Sequence, residues 1–274
     1  MASLSRACVR AAPDRTVSLP TPESPAESKR PRGIYLLPNL FTTGGLLAGY
    51  FAIVSAIGGR YVDAAIAVFV AGVLDGVDGR VARMTNTQSA FGVQYDSLSD
   101  LVSFGLAPSL VMYTWSLDLL KTYGPLWGKV GWAAAFLYAA CAALRLARFN
   151  TQVGVADKRW FLGLASPAAA GLLMAWVWTI EQQGIDAGRL VFASLALTIL
   201  AALLMVSRVR YWSFKSGPAN VRVPFVWIVL AMALMVSLVV FNARALLAIG
   251  VAYVASGPLL WLISRRRKRA VAAP

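Results

Sequence analysis

The chain has 274 residues, of which 58% are hydrophobic and only 14% are charged, and its mean hydropathy is +0.65. A soluble domain of this length needs more polar surface, so the composition excludes a soluble globular protein and predicts an all-α polytopic membrane protein. The net charge of +14 would favour nucleic-acid binding in a soluble protein. In a membrane protein it indicates topology and contact with anionic membrane lipids, so we expect no nucleic-acid partner.

The N-terminal segment 1–32 is rich in Ser, Pro, Arg and Glu and has no apolar core. It is too polar for a secretory signal peptide, and we predict a disordered basic cytoplasmic tail. The apolar segments that follow are long enough to predict about eight transmembrane helices. These lie at 36–57, 61–83, 91–116, 130–149, 161–180, 188–206, 224–241 and 245–263.

Lys and Arg residues are unevenly distributed between the two ends of these predicted helices. With the N-terminus in the cytoplasm, 21 of the 26 basic residues fall on the cytoplasmic side. The exceptions are Arg60, Lys121, Lys129, Arg189 and Arg244. Because basic residues are enriched in cytoplasmic loops, this distribution supports an even number of spans and predicts that both termini face the cytoplasm.

Four carboxylates lie on the second and third predicted helices, where ionisable residues are costly and usually functional. Asp75 and Asp78 come near the end of one helix, and Asp96 and Asp100 near the start of the next. Spacings of three and four keep each pair on one helical face, and antiparallel helices bring both pairs to a similar depth. We therefore predict that all four converge at the cytoplasmic face.

Clustered carboxylates repel one another unless a cation compensates their charge. Oxygen ligands without nearby His or Cys favour Mg²⁺, Mn²⁺ or Ca²⁺, and two such ions would suit phosphoryl chemistry. An EF-hand is excluded because the twelfth position counted from Asp75 is Asn86 rather than Glu. Gly79 and Gly92 lack side chains where a ligand or a second helix must approach closely, and Arg83 supplies positive charge for a diphosphate. Arg80 serves either the diphosphate or membrane topology.

The run Asp75-Gly-Val-Asp78-Gly-Arg-Val-Ala-Arg83, followed by Gly92, Asp96 and Asp100, resembles the signature of the CDP-alcohol phosphatidyltransferase family at every position. Other blocks resemble the bacterial, membrane-integral phosphatidylserine synthase branch of that family. They are 37–42, 96–108, 143–150 and 163–171. The resemblance runs from about Gly33 to Gly171 and is weaker through the last three predicted helices.

The resemblance implies a helical bundle and assigns roles to individual residues. Asp75, Asp78 and Asp96 would be the main metal ligands, and Asp100 would complete a second metal site and act as general base. The CDP-lipid site would be lined by Asn39, Thr42, Gly79, Ala82, Arg83 and Ser89. A Pro-Asn pair at the start of a helix is also ordinary capping chemistry, which is the alternative for Asn39 and Thr42.

The implied reaction transfers the phosphatidyl group of CDP-diacylglycerol to L-serine and releases CMP, with Mg²⁺ or Mn²⁺ as cofactor. Arg145 and Arg148 would bind the serine carboxylate, with Asn150 and Ser166 nearby. The alternative for the two arginines is a role as topology anchors or lipid-phosphate ligands, and for Ser166 it is an ordinary helix start. The signature leaves glycerol 3-phosphate, inositol phosphate or a second lipid open as the acceptor.

A divalent-cation transporter is a remote alternative, since intramembrane acids also mark ion pathways. Such a protein would place its acids at the bilayer midplane, whereas here they cluster near one face beside Gly and Arg. A purely structural role would leave four carboxylates uncompensated.

The resemblance further implies a homodimer in the bacterial cytoplasmic (inner) membrane, with the active site on the cytoplasmic side. From the predicted spans and the charge distribution, we divide the chain into a tail 1–32, a catalytic six-helix core 33–206, two additional helices with a cytoplasmic loop at 207–263, and a basic cytoplasmic tail 264–274.

Overall fold

The computed structural model describes residues 36–84, 89–151, 160–207, 209–212 and 243–271, all within one compact unit that runs from Gly33 to Pro274. Its helices are α1 (Leu36–Ile57), α2 (Tyr61–Met84), α3 (Ala90–Asp100), α4 (Ala107–Trp115), α5 (Pro125–Thr151), α6 (Ser166–Gln182), α7 (Val191–Val206) and α8 (Ala243–Val271). A π-helical turn (Leu101–Leu106) joins α3 to α4, and 3₁₀ turns cover Leu117–Tyr123 and Ala187–Leu190. Two short strands, β1 (Trp160–Leu162) and β2 (Arg210–Trp212), pair antiparallel.

The all-α fold class is confirmed, and seven of the eight predicted spans fall on helices of the structure. The remaining span, 224–241, lies outside the described residues. Within the described residues, three helical stretches are long and apolar enough to cross a membrane by length and composition: Asn39–Ile57, Pro125–Thr151 and Ala187–Val206. The count of eight therefore stays a prediction.

α1 and α2 form a tight antiparallel hairpin. The chain reverses at Gly58 and Gly59, and Gly59 has a φ of 72°, which a residue with a side chain adopts only with strain. Buried alanines on both helices, including Ala52 and Ala56 on α1 and Ala64 on α2, let the two backbones approach closely. The close packing in the hairpin therefore fixes the position of α2 along the axis of α1.

α5 packs against the π-helical turn and α4 through backbone-directed hydrogen bonds. The hydroxyl of Ser109 donates to the Ala135 carbonyl (2.7 Å), and the buried hydroxyl of Tyr138 donates to the Phe104 carbonyl (3.1 Å). A Cβ on Gly105 would lie 3.2 Å from the Cβ of Ala142. Because α5 runs antiparallel to this segment, the next turn of α5 lies level with Asp100.

The predicted start of the fifth span at residue 161 is wrong. Residues 160–162 form β1, which pairs with β2, and α6 begins only at Ser166. Gly163 separates the two with a φ of 84°, and its N–H donates to the Val209 carbonyl (2.8 Å). The apolar run Trp160–Leu162 resembles a helix by composition, but its backbone partners are Arg210–Trp212, far along the chain.

Apolar side chains cover much of the outer surface of the bundle. Leu47 and Ile57 on α1 are 65% and 74% exposed, and α5 and α7 also carry exposed large hydrophobic residues. The interior is filled by side chains such as Tyr138, Leu173 and Met205, which are fully buried. An apolar exterior of this kind needs a hydrocarbon environment, and together with the apolar helices it makes the chain a multi-pass membrane protein.

Candidate active site

Three carboxylates converge where α2 ends and α3 begins. One ligand oxygen from each of Asp75, Asp78 and Asp96 can be chosen so that all three lie within 4.8 Å of one another. Asp78 is only 4% exposed, and the other two are half-buried. Three hard oxygen ligands at this spacing, with no His or Cys among them, fit a divalent cation such as Mg²⁺ or Mn²⁺. The cluster can therefore hold a metal ion.

Asp100 lies beside this cluster rather than within the trio. It lines the same small cavity, of about 10 Å³, as the other three aspartates. The four acids therefore converge as the helical spacing predicted. Asp100 lies where it can bind a second metal ion.

α1 supplies a hydroxyl that orients one of the acids. Thr42 donates from Oγ1 to Oδ2 of Asp78 at 2.6 Å, in a buried position. Thr42 was expected to line the CDP-lipid site, whereas in the structure its hydroxyl contacts a candidate metal ligand. A buried hydrogen bond to a carboxylate restricts its rotation and stabilises the ionised form.

Two serines that the sequence analysis did not single out hold α3 and the π-helical turn against α1. Ser99 donates to the Thr42 carbonyl (3.1 Å) and Ser103 donates to the Gly45 carbonyl (3.0 Å), and both serines are buried. They are spaced by four, like Asp96 and Asp100, so they share one face of the segment. That spacing was a signal in the sequence that could have identified them.

The residues predicted to bind the acceptor divide into two groups. Nη1 of Arg145 donates to Oγ of Ser166 at 2.8 Å, which joins α5 to the start of α6. Among the described residues, Nε of Arg145 is buried without a hydrogen-bond partner. The guanidinium of Arg145 also interacts electrostatically with Asp100. Arg145 and Ser166 therefore join α5 to α6 within electrostatic range of Asp100.

The other two predicted acceptor residues have different surroundings. Asn150 donates from Nδ2 to Oγ of Ser97 (2.9 Å), next to Asp96. This bond fastens the end of α5 to α3, so the Asn150 amide has a structural partner. Arg148 is half-buried in the last turn of α5, and its carbonyl accepts a hydrogen bond from Thr151.

The predicted CDP-lipid residues lie around the same end of the bundle. Ser89 is the N-cap of α3, where its Oγ accepts from the Gly92 N–H at 2.9 Å. Gly79 has open space where a Cβ would be, and at Gly92 a Cβ would meet Oγ of Ser89 at 3.1 Å and Oδ1 of Asn39 at 3.7 Å. Gly79 therefore leaves room for a ligand, whereas Gly92 is enclosed by the cap. The side chains of Ala82 and Arg83 lie outside the described residues.

Replacing Thr42 with valine is expected to weaken metal binding, because valine keeps the shape of threonine but cannot donate to Asp78. Hydrogen bonds to charged groups contribute about 1.5–3 kcal/mol, so we expect an affinity for Mn²⁺ lower by about tenfold or more. The measurement is a Mn²⁺ titration of the detergent-purified protein by electron paramagnetic resonance. The matched control is Thr43→Val, because Thr43 bonds to the Asn39 carbonyl and Tyr95 instead. Equal affinities in the two variants would contradict the role given to Thr42.

The carboxylate site lies within a segment that matches a known protein family. Residues 35–206 match the family profile described as CDP-alcohol phosphatidyltransferase. A Helicobacter pylori protein named CDP-diacylglycerol–serine O-phosphatidyltransferase is 38% identical over 189 residues, which cover 69% of this chain and 77% of that protein. Proteins of the same name from Methanocaldococcus jannaschii and Bacillus subtilis are 35% and 31% identical, and the matches cover 53% and 67% of this chain and 61% and 94% of theirs.

Proposed function

The chain belongs to the CDP-alcohol phosphatidyltransferase family, and we propose from this premise that it transfers the phosphatidyl group of CDP-diacylglycerol to L-serine, with release of CMP. The observation that carries the proposal is the convergence of Asp75, Asp78, Asp96 and Asp100 on one cavity, with the half-buried Arg145 within electrostatic range of Asp100. The names of the relatives support serine as the acceptor.

The carboxylate cluster is the proposed site for the cofactor, two Mg²⁺ or Mn²⁺ ions. Asp75, Asp78 and Asp96 would hold the first ion, and Asp100 would share in the second. When bound, such ions neutralise the diphosphate and stabilise the charge that develops on the leaving CMP. The hydrogen bond from the Thr42 hydroxyl would hold the Asp78 carboxylate in the orientation that binds the first ion.

Asp100 is the proposed general base. The serine hydroxyl attacks the phosphorus on the lipid side of the diphosphate, the new P–O bond forms, and the P–O bond to CMP breaks with its electron pair leaving on CMP. Asp100 takes the proton that the serine hydroxyl loses. This role is supported by its position beside the trio of carboxylates and within electrostatic reach of Arg145.

Arg145 is the proposed ligand of the serine carboxylate. Its Nε is buried and has no partner among the described residues, so a donor remains for a carboxylate that enters the site. Ser166 holds one end of the guanidinium in place. We propose Arg148 as a second positive charge at the mouth of this pocket, while Asn150 acts through its hydrogen bond to Ser97.

The remaining CDP-lipid residues are proposed from their place around the cavity. Gly79 leaves open space next to Asp78, and Asn39 lies near the capped start of α3. Ser89 fixes that start through its side chain. Ala82 and Arg83 are proposed from the family resemblance as further residues of the CDP-lipid site.

The membrane location, the domain bounds and the oligomeric state are also proposals. The concentration of basic residues on one side supports a multi-pass protein of the bacterial cytoplasmic membrane, with the site and both termini in the cytoplasm. We propose residues 33–206 as the catalytic core, 207–263 as two additional helices with their loop, and 1–32 and 264–274 as cytoplasmic tails. A homodimer is proposed from the family resemblance.

The deciding experiment is an acceptor screen with purified protein, CDP-diacylglycerol and Mn²⁺ or Mg²⁺. Serine, glycerol 3-phosphate, inositol phosphate and a lipid alcohol are supplied one at a time, and CMP release and the lipid product are measured. We expect CMP release with serine and the formation of phosphatidylserine. Release with another acceptor and not with serine would overturn the assignment of the acceptor, and CMP release that needs no alcohol would overturn the transferase.

A further inference from the structure

A two-stranded clip, made of β1, β2 and the residues next to them, joins the chain that follows α7 to the segment that precedes α6. The family match ends at residue 206, and β2 (Arg210–Trp212) lies beyond it. β2 pairs antiparallel with β1 (Trp160–Leu162), which comes just before α6 in the chain. A strand outside the family domain therefore supports the segment that leads into α6.

Backbone hydrogen bonds extend the clip beyond the two strands. The N–H of Gly163 donates to the Val209 carbonyl at 2.8 Å, and the N–H of Leu164 donates to the Leu204 carbonyl at 3.0 Å. The side chain of Leu164 is also fully buried. Two successive residues before α6 are thus held against the end of α7 and the chain that follows it. The first residue of α6 therefore has little freedom to move.

Gly163 makes this close approach because it has no side chain. Its φ of 84° lies in the region that favours glycine. A Cβ there would clash with the Met205 carbonyl oxygen and would lie 3.1 Å from the carbonyl oxygen of Ser207. Both neighbours are backbone atoms, which cannot rotate away as a side chain can. A side chain at position 163 would therefore push this segment away from the end of α7.

The clip leads directly to a hydrogen bond of the proposed acceptor site. Ser166 is the first residue of α6 and is only 1% exposed, and its Oγ accepts from Nη1 of Arg145 at 2.8 Å. An arginine side chain has several rotatable bonds, and its planar fork binds a carboxylate well only when its orientation is fixed. The position of Ser166 therefore influences the direction of the Arg145 guanidinium.

We propose that Gly163 is a positioning residue for the acceptor, and that the clip extends the acceptor site beyond the family domain. The inference rests on the proposed function, in which Arg145 binds the serine carboxylate. The clip fixes the start of α6, and Ser166 then holds one end of the guanidinium. Nε of Arg145, which is buried without a partner among the described residues, stays available for the carboxylate.

The first test is Gly163→Ala, which adds the Cβ that the clip has no room for. We expect the KM for serine to rise about tenfold, because Ser166 and Arg145 are displaced. The affinity for Mn²⁺ and the KM for CDP-diacylglycerol should change by less than about twofold, since the four aspartates lie on α2 and α3. The matched control is Gly184→Ala at the other end of α6. Gly184 also has a positive φ (62°), but a Cβ there has open space, so its serine KM should not change.

A milder variant, Ser207→Ala, gives the answer if Gly163→Ala does not fold. The Ser207 hydroxyl donates to the Leu204 carbonyl at 2.9 Å and accepts from the Val209 N–H at 3.4 Å, so it supports the turn from α7 into β2. Loss of such neutral hydrogen bonds is expected to raise the serine KM about threefold. The matched control is Ser256→Ala, which removes a hydroxyl that donates to the Tyr253 carbonyl within α8 at 2.6 Å.

A double-mutant cycle separates positioning from a general loss of packing. On an Arg145→Lys background, the clip variant that folds should raise the serine KM further by less than about twofold, because the planar fork is already gone. Three results would overturn the role of the clip: an unchanged serine KM, equal losses in kcat and in both KM values, or a full further rise on the Arg145→Lys background. A wild-type protein without serine-dependent CMP release would instead overturn the proposed function, so the two failures are read from different samples.

Discussion

Replacing Asp100 with asparagine should lower turnover by about 10² to 10⁴-fold, because the amide cannot accept the proton of the acceptor hydroxyl. Asp100 lies beside the trio Asp75, Asp78 and Asp96 rather than within it, so the trio keeps its ligands in this variant. We therefore expect binding of CDP-diacylglycerol to be largely preserved. The measurements are kcat from CMP release and the Kd for the CDP-lipid in the presence of Mn²⁺.

The Asp100 variant is best compared with two others. Asp96→Asn removes a member of the trio and should weaken Mn²⁺ binding as well as turnover. Asp63→Asn changes an exposed acid at the other end of α2, paired with Arg60 at 3.8 Å, and should leave both unchanged. If Asp100→Asn lost CDP-lipid binding and turnover to the same extent, Asp100 would be chiefly a metal ligand.

Replacing Gly49 with alanine should destabilise the protein and impair the site. A Cβ there would lie 2.5 Å from Oγ and 2.8 Å from Cα of Ser103, so the backbone of α1 or of the π-helical turn must move. Overpacking of this kind costs about 1–3 kcal/mol. Because Ser103 lies three residues after Asp100, a shift of the turn also displaces the proposed base. We expect a lower Tm in detergent and a loss of turnover larger than the loss of stability alone would give.

Gly72→Ala is the matched control for this change. Gly72 also faces the π-helical turn, but a Cβ there would lie 3.7 Å from Cε1 of Phe104, which is an ordinary contact. Its Tm should stay close to that of the wild type. Equal Tm values for the Gly49 and Gly72 variants would show that α1 and the π-helical turn can move apart without a loss of stability.

The carboxylate cluster was predictable because it depends on local geometry. Spacings of three and four on antiparallel helices place Asp75 and Asp78 opposite Asp96 and Asp100 whatever else the bundle does. The same reasoning does not show which hydroxyl orients which acid. Thr42 lies 36 residues before Asp78, and only the packing of α1 on α2 makes it a partner of that carboxylate.

Other features depend on contacts that no short stretch of sequence encodes. Phe161 and Leu162 of β1 were assigned to a helix because they are apolar, while the pairing of β1 with Arg210–Trp212 is not visible in either segment alone. The π-helical turn Leu101–Leu106 has the composition of an ordinary apolar helix. α8 lies beyond the signature, so its packing on α6 appears only in the folded chain.

The π-helical turn between α3 and α4 lets one continuous helical segment both contribute to the carboxylate site and pack against α5. An α-helix rotates by about 100° per residue, and a π-helical turn accommodates one more residue than an α-helical turn would. The side chains before it are therefore rotated relative to those after it by about that angle. Asp96 and Asp100 can face α1 and α2 while Ser109, further along, faces α5. A backbone carbonyl of the turn, that of Phe104, is satisfied by the buried hydroxyl of Tyr138. The side chains that form the site and the side chains that pack the bundle thus point in different directions from the same helical segment.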